Sequence, residues 1–116
     1  MLEFDEYKVK LNNLRPGLDE LGKALGLEAA ERELDMLESE CASDGFWDNL
    51  AKAQKVQQRI KQLHHKIDGQ KKRLSQWEDL MTLCEMGNEE EDASLVAEVE
   101  EGYAKLEEEI GEAKLA

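Results

Sequence analysis

Apolar residues along this chain fall into four runs, each alternating steps of three and four. The longest starts at Ala53 and continues through Val56, Ile60, Leu63, Ile67, Leu74, Trp77, Met81 and Cys84, with one polar slot at Gln70. A mean step of 3.5 keeps one seam pressed against neighbouring helices, so the pattern predicts a single long helix from Asp48 to Met86. At 1.5 Å per residue it spans about 55 Å. Such a seam has no use without partners, and the rest of the chain supplies them.

The first run comprises Phe4, Tyr7, Leu11, Leu14, Leu18, Leu21 and Leu25. Pro16 lies off its seam, and the apolar phase crosses it without a slip, which predicts one kinked helix rather than two. Gly26 is the expected stop. A shorter helix follows along Leu27, Ala30, Leu34, Leu37 and Cys41, ended by Ser43-Asp44-Gly45. Phe46-Trp47-Asp48-Asn49 then leads into the long helix, with Asp48 as the expected N-cap. The two aromatics either close the end of the bundle or stand exposed as a partner site.

Gly69-Gln70 is the weak point of the long helix: a buried amide there sets register, or the packing changes at that level. Leu80 and Leu83 widen the apolar face, and Gly87 is the expected C′ residue. Asn88 with Glu91 reads as a capping-box variant opening a last helix along Val96, Val99, Tyr103, Leu106, Ile110 and Ala113. The expectation is all-α: an antiparallel, coiled-coil-like bundle of about four helices, one long and central, in a single domain over residues 1–116.

Charge changes this picture more than composition does. The chain of 116 residues carries a formal net charge of −13, against adhesion of the whole domain to phosphate or an anionic membrane. Residues 1–49 hold thirteen acids and five bases, residues 50–77 one acid and eight bases, and residues 78–116 fourteen acids and two bases. The eight bases are Lys52, Lys55, Arg59, Lys61, Lys66, Lys71, Lys72 and Arg73. Either they pair with acidic flanks of neighbouring helices, or part of this surface faces a phosphate backbone.

Candidate chemistry is sparse. His64 and His65 point about 100° apart on a helix and cannot readily chelate one ion. Cys41 and Cys84 fall on seam positions and read as small buried thiols. There is no Gly-rich phosphate loop, no G-x-S-x-G and no cleft-forming loop to desolvate a carboxylate. The expectations are no catalytic residue, no metal, no cofactor and no small-molecule substrate. No apolar run approaches membrane-spanning length, and the acidic start is unlike a signal peptide, which predicts a soluble, cytoplasmic protein.

Phe46-Trp47-Asp48-Asn49 followed by Ala53-Gln54-Lys55-Val56 resembles the aromatic turn and helix start in the N-terminal domain of bacterial class I peptide chain release factors of the release factor 2 kind. The acidic break Asn88–Asp92 and the last helix through Leu106-Glu107-Glu108 are similar to that family too. The resemblance implies an intact protein that reads UGA and UAA on the ribosome through a Ser-Pro-Phe tripeptide and promotes peptidyl-tRNA hydrolysis through a Gly-Gly-Gln loop. Neither motif occurs here, so no catalytic role transfers, and Lys114-Leu115-Ala116 is expected at or beyond the edge of an isolated first domain. The family's first domain is a helical arm toward the stalk base of the large subunit, where release factor 3 also acts. The eight bases are then the candidate phosphate or partner contacts, on a monomer. The competing reading is a free-standing structural coiled coil or adaptor that dimerises through its seam.

Overall fold

The computed structural model describes residues 1–116. The chain is all-α, as the apolar runs predict, with four helices and no strand. These are α1 (Leu2–Ala24), α2 (Leu27–Cys41), α3 (Leu50–Glu90) and α4 (Val96–Leu115). Short 3₁₀ turns at Phe46–Asp48 and Ala93–Leu95 precede α3 and α4.

The ends of these helices differ from the sequence expectation in three places. Asn49, not Asp48, caps α3: its Oδ1 accepts from the Lys52 N–H at 3.1 Å, and its carbonyl accepts from the Ala53 N–H at 3.0 Å. Asp48 is instead wound into the 3₁₀ turn, its own N–H donating to the Gly45 carbonyl.

Gly87 does not stop α3, which continues to Glu90. A β-carbon at Gly87 would overlap the ring of Phe4, so the glycine is there for the close approach of α1 and not for a turn. The stop falls on Glu91, at φ 51°, with Asp92 N–H donating to the Gly87 carbonyl and Glu91 N–H to that of Asn88. Those two bonds make a Schellman motif with glutamate where glycine is usual.

Asn88 caps nothing, because it lies in the last turn of α3 with its side chain turned to α1. Its Nδ2 donates to Asp5 at 2.9 Å and its Oδ1 accepts from the Met1 amino group. Asp92 caps the 3₁₀ turn that leads into α4, accepting from the Ser94 N–H at 3.0 Å and from the Ser94 hydroxyl, while α4 itself has no side-chain cap.

Pro16 sits inside α1, which runs through it as one helix. The donor it lacks is missing on an exposed face, where water can serve the freed carbonyl. Gly26 adopts φ 66° between α1 and α2, close to the expected stop.

The residues gather into two compact units. The first comprises Met1–Gly22 and Lys71–Ala116. Within it α1 runs antiparallel to the later part of α3: Phe4 meets Gly87, and the Trp77 indole N–H donates to the Leu11 carbonyl at 2.6 Å. Tyr7 of α1 meets Tyr103 of α4 edge-on, ring centres 5.5 Å apart, and Leu80 of α3 packs over Gly102 of α4. Phe4, Leu11, Leu18, Cys84, Val99 and Leu106 are wholly enclosed.

The second unit, Lys23–Gln70, is a hairpin of α2 against the earlier part of α3. Ala30 and Leu34 pack on Leu63 and Ile67 at one level, and Phe46 packs with Ala53 and Val56 at the next. Gln70 is buried at the end of this unit.

Candidate phosphate-binding surface

The eight bases of α3 do not share one role. Lys52, Arg59, Lys66 and Arg73 are seven residues apart and so occupy one line beside the seam, the position from which a long side chain reaches a neighbouring helix. Arg59 holds the Glu33 carboxylate with both ends of its guanidinium, Nε to Oε2 at 2.7 Å and Nη2 to Oε1 at 2.8 Å. Lys52 reaches Glu40 at 3.1 Å. Glu33 and Glu40 are themselves seven apart on α2, which matches the spacing of their partners on an antiparallel neighbour.

Lys66 is half-buried and adds to the positive field at Glu33. Burial pulls the Arg73 guanidinium below its usual range, and the negative charge of Glu109 on α4 opposes that. Charge complementarity between helices is therefore the role the structure gives to Lys52 and Arg59, and Arg73 faces an acidic neighbour in the same manner.

Lys55, Lys61, Lys71 and Lys72 are different. All four are exposed and none is in an ion pair. They lie on the outer or flanking side of α3, and of the eight they are the ones free to meet a phosphate. The sequence carried a signal for this division: the sevenfold spacing of the other four, adjacent to the seam, marks them as helix-pairing charges.

The hydrogen bond from Arg59 holds the Glu33 carboxyl below the usual carboxylate range, although burial works the other way. The Asp92 carboxyl is lowered as well, by its bonds from Ser94. A depressed folded-state value means stability that is present above the unfolded value and lost as pH falls through the folded one. Unfolding by urea should accordingly show constant stability around neutrality and a fall below pH 4.5, with Glu33→Gln flattening part of that fall. Because both groups are solvent-accessible the contribution is modest and screened by salt. A slope unaltered by Glu33→Gln would mean that the pair contributes nothing.

His64 stands half-exposed between two carboxylates, Nε2 at 3.8 Å from Glu38 and Nδ1 at 3.5 Å from Asp68, while His65 faces solvent. The two carboxylates meet opposite ring nitrogens, so they do not converge on one ion. No group of three or more His, Cys, Asp or Glu side chains is placed to hold a metal. Cys41 and Cys84 are free thiols; Cys84 is wholly buried, and desolvation pushes its thiol up from the ordinary value. No helix is long and apolar enough to cross a membrane.

Sequence comparison adds what geometry alone does not. The chain is 34% identical over 102 residues to peptide chain release factor 2 of Clostridium perfringens, 85% of this chain and 28% of that protein. It is 30% identical over 115 residues to peptide chain release factor 2 of Petrotoga mobilis, 99% of this chain and 31% of that protein. The similarity is to peptide chain release factor 2. The release factor 2 of Lactiplantibacillus plantarum agrees, at 31% identity over 114 residues, 98% of this chain and 30% of that one. The chain thus spans about three-tenths of the length of the release factor 2 proteins it matches. No protein-family profile matches the chain, and no solved structure matches it.

Proposed function

We propose that this chain is the N-terminal helical domain of a release factor 2 and serves as a docking arm of that factor on the ribosome. The observation that carries the reading is the similarity to release factor 2 over 85–99% of the chain. The intact factor then directs translation termination at UGA and UAA in the cytoplasm. The arm itself acts as a monomer without enzymatic activity, facing the stalk base of the large subunit and release factor 3. A stiff pairing of helices suits positioning.

In this reading the phosphate contacts are Lys55, Lys61, Lys71 and Lys72, the exposed members of the basic stretch without an ion-pair partner. Replacing all four by Glu in the full-length factor should weaken its binding to ribosomes. It should also flatten the salt dependence by roughly one logarithmic unit per phosphate contact removed. Unchanged affinity and slope would remove the phosphate role. Arg59→Glu serves as the contrast, since it should destabilise the α2–α3 hairpin instead. The free-standing coiled-coil reading needs a seam open to a second chain, and the seam residues Ala53, Leu63, Ile67 and Cys84 are covered by this chain's own helices. A stable dimer in sedimentation would revive it.

A further inference from the structure

The turn between α2 and α3 presents an apolar surface that the basic helix does not explain. Of the two aromatics expected there, Phe46 is buried against Ala53, Val56, Leu37 and Cys41 and closes that level of the hairpin. Trp47 is 58% exposed, and Leu50, three residues on, is 65% exposed. The indole is not loose: it meets the anchored Phe46 ring edge-on at 4.9 Å and 84°. The backbone beneath it is fixed by Phe46 N–H to the Ser43 carbonyl, Asp48 N–H to that of Gly45, and Gly45 at φ 79°. An exposed indole braced on an anchored ring, over a hydrogen-bonded turn, has less freedom to lose on binding than one on an unbraced loop.

Charge around the indole selects the partner. Asp44 and Asp48 flank Trp47 in the turn, both exposed and neither in an ion pair. The closest base in sequence, Lys52, is engaged by Glu40. An exposed tryptophan in a turn that also carries two unpaired carboxylates favours a guanidinium, by cation–π and ionic attraction, and the same carboxylates repel phosphate. Leu50 adds an aliphatic contact for the neighbouring residue of such a segment.

We propose that the Trp47–Leu50 turn is a docking site for a basic, partly apolar protein segment, with an arginine over the Trp47 ring and between Asp44 and Asp48. Nucleic acid is not its ligand. The inference stands apart from the ribosomal reading, because it concerns a surface distinct from the four free lysines and is tested on this chain alone.

The chain has two tryptophans, so a nitrogen-15 spectrum carries two indole N–H signals, and Trp47→Phe identifies which is which. Titration with a synthetic nonapeptide of alternating arginine and leucine should move the Trp47 indole and the amides of residues 44–50 saturably. A citrulline version of the peptide and an RNA stem-loop should leave them in place. Trp47→Ala should weaken peptide binding about tenfold or more, and Asp44→Asn with Asp48→Asn severalfold. Shifts confined to the acidic face of α4, a response to the RNA but not the peptide, or full affinity in either variant would each overturn the proposal. Should a variant fail to fold, the citrulline and RNA arms on the unaltered chain still decide.

Discussion

Phe4→Ala should lower the unfolding free energy by about 3–5 kcal/mol, the range for truncating an enclosed phenylalanine. That is a large share of the roughly 5–15 kcal/mol that holds a domain folded. Phe4 is wholly enclosed, and its ring fills the space that a side chain at position 87 would need. The neighbouring substitution is expected to destabilise too, for the opposite reason. Gly87→Ala gains about 1 kcal/mol of helix propensity, but its methyl group overlaps a buried ring, and overpacking costs about 1–3 kcal/mol.

The double variant separates this account from a general weakening of the core. With the ring gone, the new methyl group has room, so Phe4→Ala with Gly87→Ala should be more stable than Phe4→Ala alone. Urea unfolding followed by helix signal at 222 nm measures all four corners of the cycle. Strict additivity would show that the ring and the glycine do not share one space.

The second large effect is expected at Leu63, almost entirely enclosed among Ala30, Leu34 and Ile67. Leu63→Ala should cost about 2–5 kcal/mol. Its unit consists of α2 against part of α3, a smaller assembly with fewer alternative contacts to absorb the gap. Hydrogen exchange is the informative measurement: amides of α2 and of residues 50–70 should lose most of their protection. Protection left intact there, with stability lost elsewhere, would contradict the assignment of Leu63 to the hairpin core.

Much of this architecture was legible from the three-four steps alone. All four apolar runs became helices, and Phe4, Leu11, Leu18, Leu63, Cys84, Val99 and Leu106 are buried as their seam positions require. What escaped the sequence lies at the helix ends, where the adjoining turn or a side chain from a distant segment decides. Gly87 has the chemistry of a stop signal, and only the Phe4 ring, brought in by α1, makes it a spacer inside a helix. Asp48 and Asn49 are both good caps, and the winding of Phe46 and Trp47 into a 3₁₀ turn chose the second.

The basic stretch was legible as a charge but not as a surface. Composition counts Arg59 and Lys61 alike, whereas one is held by Glu33 and the other is free. Trp47 and Phe46 are equally apolar neighbours, and only the direction of the turn buries one and exposes the other.

The first unit is assembled from two stretches far apart in the chain, with the α2–α3 hairpin interposed between them. Joining Phe4 to Gly87 therefore means closing a loop, and the entropy of closing it depends on how much of that loop is still flexible. A hairpin whose contacts are nearer in sequence can order first and shorten the flexible part. A hairpin ordered ahead of the first unit would then be more than a spacer, since it would shorten the flexible loop that has to close when Phe4 meets Gly87.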